Sequence, residues 1–349
     1  MLREHVTLIL GAGSSVVFGL PLGVGLKNQI AESIYLHYDD FGRSLERGSH
    51  EIAEAFKLIA QKDDRLRGNT NSLIKAAREI ADALPMCGSI DDYIERHTGH
   101  QEYEQCAKLG IAHCILKSER NSALRLDPYK GNGVDLSAYQ GCWLSEFLQI
   151  VTRRSSTETL KEAFSKITVI NFNYDRCFDQ FTYFWLITVY KLSQQEATDV
   201  LSSIEIIHPY GSIGSIAYID RSGVIFGDDP SGSELISIAK KIRTYSESAG
   251  ERDRSTAIAE ALTKTKKIIF LGFAFHEQNM SLLASNVKGA QPSPRHIFAC
   301  THGLSSARWE ISRNRLSSTL STPQEMLFEH LDARSCEAVF EQYADIISG

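Results

Sequence analysis

The chain has 349 residues, of which 43% are hydrophobic and 23% charged, a soluble globular composition with apolar material for about two structural units. Its 37 basic and 43 acidic side chains leave a formal charge of −6, against the broad basic surface that non-specific nucleic-acid binding requires, so no direct nucleic-acid partner is expected. The longest apolar run, 181–190 (FTYFWLITVY), is far short of the roughly 20 residues of a spanning helix, so no membrane partner is expected.

The opening stretch MLREHVTLILGAG lacks the apolar core and small-residue cleavage site of a secretory signal. Cys87, Cys106, Cys114, Cys142, Cys177, Cys300 and Cys336 include no C-x-x-C pair, which argues against a disulfide framework or a zinc ribbon. The chain therefore reads as reduced and cytoplasmic.

In chain order, residues 6–10 (VTLIL) form the first expected strand, a β-branched and aliphatic run as in a parallel sheet covered on both faces. Glycines follow at once. Residues 39–159 then read as a mainly helical inserted module. Three apolar stripes at helical spacing support it: Ile52, Phe56, Ile59; Leu73, Ala77, Ile80, Leu84; and Leu144, Phe147, Leu148, Val151. The segment 127–133 (DPYKGNG) is its clearest loop.

Strands are expected again at 167–170, 204–207, 268–271 and 296–299, with a shorter one at 224–226 between glycines. The aromatic run 181–190 reads as a core helix, and Lys264, Lys266 and Lys267 as a solvated strand entry. Thr322-Pro323-Gln324-Glu325 fits a capping box that starts a helix, and Val339, Tyr343 and Ile346 mark one more. Strands separated by helical segments make this an α/β chain with a parallel sheet. Its core comprises 1–38 and 160–320, with C-terminal helices at 321–349 packed on it.

The first chemical constellation is Gly11-Ala12-Gly13-Ser14-Ser15, followed by Gly19-Leu20-Pro21. Glycines after a strand let the backbone approach a pyrophosphate, and a helix N-terminus behind them favours its charge. The third glycine of a dehydrogenase fingerprint is replaced by Val16, and no Gly-Lys-Ser/Thr of a P-loop is present. A tight turn without ligand remains the alternative for these residues alone.

The spacing GAG-x-S-x-x-x-G-L-P resembles the opening of the sirtuin superfamily. Three further segments match that family in order: ITVINFNYD, with Asn173 and Asp175 on its Asn-x-Asp element; IEIIHPYGS, with His208 on its histidine; and IIFLGFAFHEQNM, with Gly272 on its adenosine-loop glycine. The resemblance implies a Rossmann-like parallel sheet with helices on both faces, carrying a helical insert. It covers 1–38 and 160–310 well and the insert loosely.

The departures sharpen it. The Asp-Phe-Arg that follows the proline in protein-deacetylating sirtuins is replaced by Leu22-Gly23-Val24, the zinc cysteines are missing, Phe172 precedes the Asn, and Pro209-Tyr210 intervene before Gly211-Ser212. What holds an acyl-lysine peptide is lost, and what holds a dinucleotide stays. That combination resembles bacterial sirtuin-like proteins of antiphage defence, as do NFNYD, GFAFHEQNM and Ser89-Ile90-Asp91-Asp92-Tyr93.

The resemblance implies an NAD+ glycohydrolase that releases ADP-ribose and nicotinamide, with NAD+ as substrate, no zinc and no recycled cofactor. It implies assembly as a homo-oligomer and a defence partner, often a HerA-type ATPase. Asn173, His208 and Asp175 are the expected catalytic residues. Gly11, Ala12, Gly13, Ser14, Ser15, Gly19, Pro21, Gly211, Ser212, Gly272, Phe273 and His276 are the expected dinucleotide-binding residues.

Chemically, His208 suits a proton acceptor near neutral pH. Asn173 suits fixing a ribose hydroxyl or water. Asp175 suits orienting the carboxamide or stabilising an oxocarbenium ion. The Gly11–Ser14 amides suit phosphates, with Ser15 capping the helix behind. Asn173 and Asp175 equally suit helix caps, and His276 a packing role. A zinc-less deacylase or ADP-ribosyltransferase, and a non-catalytic NAD+ or ADP-ribose sensor, remain the alternatives.

Overall fold

The computed structural model describes residues 2–41, 43–126, 133–284 and 293–349. Its strands are β1 (Val6–Leu10), β2 (His37–Tyr38), β3 (Leu45–Arg47), β4 (Ile167–Asn171), β5 (Glu205–Ile207), β6 (Lys267–Leu271), β7 (Arg295–Ala299) and β8 (Leu327–His330). β2 and β3 form a small antiparallel ribbon. The other six make one parallel sheet in the order β5-β4-β1-β6-β7-β8.

From β1 the chain works outward on one side through β4 and β5, then returns to β1's other side for β6, β7 and β8. This reversal is that of a Rossmann-like doubly wound sheet, and such sheets bind ligands outside the carboxyl ends of the strands at the reversal point. Here that point lies between β1 and β6, where Leu10 pairs in register with Leu271.

Side chains alternate between two cores. Ile9, Ile170, Ile207, Ile268, Phe270 and Ile297 face one, shared with the helices Gly23–Ile34, His50–Lys62, Asn71–Ala83, Gln101–Asn121 and Arg252–Lys264. Val6, Leu8, Leu10, Val169, Ile269 and Phe298 face the other, shared with Trp143–Thr152, Cys177–Tyr190, Gln194–Leu201 and Cys336–Ser348. With both faces covered, the central strands β1, β4 and β6 are buried along their whole length.

The three expected stripes lie on helices His50–Lys62, Asn71–Ala83 and Trp143–Thr152, with Leu84 just past the second. Helices of the 39–159 stretch lie on both sides of the sheet: His50–Lys62, Asn71–Ala83 and Gln101–Asn121 on one, Trp143–Thr152 on the other. Gly110 permits close packing of Gln101–Asn121 on Gly23–Ile34, since a Cβ there would stand 2.9 Å from both Ile30 and Ile34. The 181–190 run lies in the helix Cys177–Tyr190, buried from Phe181 to Leu186.

Three expectations need correction, and a fourth falls on residues that are not described. Thr322 does not cap a helix: its hydroxyl accepts from Arg295 Nε at 3.2 Å and donates to Leu320, and the chain passes through a short turn, Gln324–Met326, into β8. The apolar pair Leu327-Phe328 thus extends the sheet, an outcome that sheet pairing decides over local capping. Residues 224–226 form no strand; Val224 makes one isolated bridge to Ile216, while its carbonyl and that of Ile225 are drawn onto Arg176. Lys267 is buried, its ammonium capping the carbonyl of Ile347 at 3.1 Å. Six of the seven residues of DPYKGNG, 127–132, lie outside the described residues.

Candidate functional site

β1 ends at Leu10, and Gly11 leads into a tight 3-10 turn, Ala12–Phe18, which Gly19 closes at φ +85°. β6 ends at Gly272, at φ +58°. The two turns touch backbone to backbone. A Cβ on Gly11 would lie 2.6 Å from the Gly272 carbonyl oxygen, one on Gly13 2.7 Å from the Gly272 Cα, and one on Gly272 2.0 Å from the Ser14 nitrogen. The glycines therefore permit loop-to-loop contact at the reversal point.

That contact uses amides the sequence reading assigned to phosphates. Gly11 N–H donates to Leu271 (3.0 Å), Gly13 N–H to Gly272 (3.1 Å) and Ser14 N–H to Gly11 (2.9 Å). Three of the four expected donors are thus satisfied within the protein, and Ala12, the first residue of the turn, is the remaining one. Ser15 is no cap either: Gly11 holds the cap position, and Ser15 lies buried inside the turn.

Asn173, two residues beyond β4, braces this turn. Its Nδ2 donates to the Gly11 carbonyl at 3.1 Å, Ser15 Oγ at 3.0 Å and Ser14 Oγ at 3.3 Å. Because a carbonyl can only accept, the amide nitrogen must be the atom facing Gly11. Asp175 accepts from Cys177 N–H at 3.0 Å and so satisfies an amide in the first turn of helix Cys177–Tyr190, whose cap position is held by Arg176. Burial pushes its carboxyl above the ordinary range, against hydrogen bonds from Cys177 and Ser15 that act downward.

His208 follows β5. Burial pushes its imidazole down to about 4, opposed by a hydrogen bond with the Asn173 backbone and reinforced by Arg254. Its Nδ1 is buried and has no protein partner. The ring borders a cavity of about 210 Å³ with Arg176, Asp179, Ile206, Ser212, Gly214, Ser215 and Ile216. Burial holds the Asp179 carboxyl up at about 6. Thus the turn and Asn173 form one hydrogen-bonded group, with Asp175 two residues further on and His208 just past the neighbouring strand β5.

The other expected residues spread around this centre. Gly211, at φ +68°, donates to the His208 carbonyl, and a Cβ there would strike Lys241. Ser212 Oγ accepts from Gly214 N–H at 3.2 Å. Pro21 leads into helix Gly23–Ile34 and packs near Gly25. Phe273 is buried against Phe172, ring centroids 5.1 Å apart. His276 is exposed, beside a smaller cavity of about 160 Å³ that includes Phe275 and Arg308.

Sequence reasoning missed four contributors. Trp143 Nε1 donates to the Ser14 carbonyl at 2.8 Å, and Ser122 Oγ to Phe18 at 2.6 Å, so residues of the 39–159 stretch clamp both ends of the turn. Asp91, in the SIDDY segment already singled out, accepts from the Tyr174 hydroxyl at 2.9 Å. Burial pushes the Asp91 carboxyl up.

The fourth is Glu119, paired with Arg176 in the interior. All five guanidinium N–H groups of Arg176 are used: two on Glu119 and three on the carbonyls of Ser215, Val224 and Ile225. Glu119 also accepts from the amides of Arg176 and Gly227. A buried Glu and Arg far apart in sequence leave no local pattern. Asp91 alone had a local signal.

Among the described residues, no group of three or more His, Cys, Asp or Glu side chains is placed to hold a metal ion, and no helix is long and apolar enough to cross a membrane. Compared with known proteins, the chain matches no family model and no curated protein.

Proposed function

We propose that this chain is a sirtuin-like NAD+ glycohydrolase that cleaves NAD+ to ADP-ribose and nicotinamide, depleting NAD+ in antiviral defence. The observation that carries the reading is the position of the Gly11–Ser15 turn. It stands at the sheet's reversal point, where doubly wound folds take dinucleotides. Asn173 holds it from one side, and a partly buried histidine stands next along the sheet.

In this reading the Ala12 amide and the rim of the turn receive the pyrophosphate, and the ribose lies over Asn173. His208, neutral at pH 7, accepts the proton of the attacking water through its unpartnered Nδ1. The nicotinamide leaves as a neutral ring, so no acid is needed. Asp175, bonded to the first turn of the next helix, supports the Asn173 segment. Val16, Val17, Leu22 and Val24 are exposed aliphatic side chains on and just after the turn, and they support an assembly surface for a homo-oligomer or a defence partner such as a HerA-type ATPase.

Purified protein incubated with NAD+, with Asn173→Ala and His208→Ala beside it, tests the reading. Nicotinamide and ADP-ribose from the wild type, and neither from the folded variants, is the expected result. A second reading is favoured by one observation: the Asn173 amide nitrogen is fully engaged in bracing the turn, which a non-catalytic NAD+ or ADP-ribose sensor would also need. A sensor would gain melting temperature with NAD+ and release no nicotinamide.

A further inference from the structure

β8 is an edge of the sheet, paired only with β7. In their parallel register His296 stands beside Phe328, and Phe298 beside His330. Alternation along each strand puts all four rings on one face of the pair. There His296 Nδ1 and His330 Nε2 are 3.0 Å apart, and the two ring planes differ by 11°. The ring centroids are 5.3 Å apart, so the imidazoles meet edge to edge, nitrogen facing nitrogen.

Aromatic rings frame this contact. Phe298 lies nearly parallel to His330, with centroids 4.5 Å apart, and Phe328 flanks His296 at 5.1 Å. Tyr343, from helix Cys336–Ser348, stands 5.1 Å from His330. Both histidines are half-buried. The opposite face of β8 is fastened by Glu329, which accepts from Trp309 Nε1 at 3.0 Å and pairs with Arg313.

A contact of this kind counts protons. A neutral imidazole has one N–H and one lone pair, whereas an imidazolium has two N–H groups. With both rings neutral, one N–H lies between them. One added proton leaves that bond in place and makes it charge-assisted. A second sets N–H against N–H and two cations at hydrogen-bond distance. The closed pair therefore holds at most one added proton, and the separated rings hold two.

The surroundings keep both rings neutral at pH 7. Burial pushes His296 below its ordinary range, aided by Lys267 of β6 and opposed by Glu4. Glu4 is itself paired with Lys266 at 3.2 Å and with Lys267 at 3.8 Å. Burial and the neighbouring His296 push His330 down, opposed by Asp332 just past β8.

We propose that His296 and His330 form an acid-released latch on edge strand β8: their shared N–H fastens β8 to β7 at neutral pH, and uptake of a second proton opens it. Opening leaves β7 as the sheet edge, its backbone groups free to pair with another strand. The open pair binds more protons than the closed one. Opening therefore grows as pH falls below about 6.5, by about tenfold per pH unit for each extra proton. The latch is independent of any NAD+ chemistry, and so is its test.

Hydrogen exchange of the full-length protein is followed by mass spectrometry from pH 7.5 to 5, with rates corrected for the intrinsic effect of pH. The peptide spanning β8 should lose protection on acidification while those spanning β1, β4 and β6 keep theirs. His330→Gln and His296→Asn each put an amide where the bonding nitrogen was. By turning over, an amide donates to a neutral histidine or accepts from a charged one. Both variants should therefore keep β8 protected at pH 5. The wild-type imidazole resonances give a reading that needs no variant, since the second proton should enter at the pH where β8 opens. A β8 that stays protected with both rings charged, or that opens at the same pH in wild type and variants, overturns the proposal.

Discussion

Trp143 and Ser14 are 129 positions apart, and the indole N–H of one donates to the carbonyl of the other at 2.8 Å in the interior. The bond joins a helix of the 39–159 stretch to the turn after β1. Trp143→Phe removes the donor while keeping an aromatic ring, and leaves a buried carbonyl unpaired. The expected cost is about 1–3 kcal/mol of unfolding free energy, read by chemical denaturation. On the proposed function, NAD+ affinity should fall with it, because the turn loses a clamp. Unchanged stability and affinity would assign the turn's rigidity to Asn173 and Ser122.

Gly272 and Gly19 separate two reasons for glycine. Both have positive φ, but a Cβ on Gly272 meets the Ser14 nitrogen at 2.0 Å, whereas one on Gly19 meets open space. Gly19→Ala should cost about 1 kcal/mol, the conformational penalty alone. Gly272→Ala should cost more than about 3 kcal/mol or fail to fold, since two backbones must part. Equal costs would mean that the loops move apart freely.

The Glu119–Arg176 pair gives a different kind of prediction. Both side chains are almost completely buried, and the pair holds three carbonyls of the 215–225 segment. Glu119→Gln keeps the shape and strands a buried cation, at an expected cost of about 3–5 kcal/mol. Replacing both with apolar residues of similar size should recover part of that loss but free the segment bordering the His208 cavity. Fast hydrogen exchange over 213–227 in the double variant is the measurement.

His208 carries a pH dependence whose sign follows from its depressed folded value of about 4 against an ordinary 6.5. Above pH 6.5 neither state holds the proton and stability is complete. Between 6.5 and 4 the unfolded chain takes the proton first, so stability drains as pH falls, by about 3 kcal/mol at most. His208→Gln should flatten that slope relative to the wild type, as compared in denaturation curves from pH 7 to 4. For turnover, the same depression predicts no inflection near pH 6.5. A rate that halves there would move the proton acceptor to another residue.

The six-stranded sheet was largely legible because parallel strands covered on both faces are short apolar runs bounded by glycine or polar loops, as at 6–10 and 268–271. β8 was hidden by the opposite circumstance. Leu327-Phe328-Glu329-His330 is half polar, lies at the sheet edge, and follows a segment that reads as a helix cap; pairing with β7 decides its state. The Gly11–Ser15 and Asn173 segments were found as motifs, yet their hydrogen bonds to each other are tertiary and leave no mark on spacing. The same is true of Trp143 and Glu119, which look like ordinary helix residues until the stretch that carries them folds onto the sheet.

The central place of β1 has a consequence for synthesis. It leaves the ribosome long before its partners, which are β4, beginning at residue 167, and β6, beginning at residue 267. At about 5–20 residues per second, roughly 8–32 s pass before its first neighbour exists, and longer before its second. Through that interval an apolar strand with two open edges waits on the nascent chain, a template for pairing with the wrong segment or another chain. Chains that stop short of β6 should therefore aggregate or be captured by chaperones, and slower translation should lengthen the exposure.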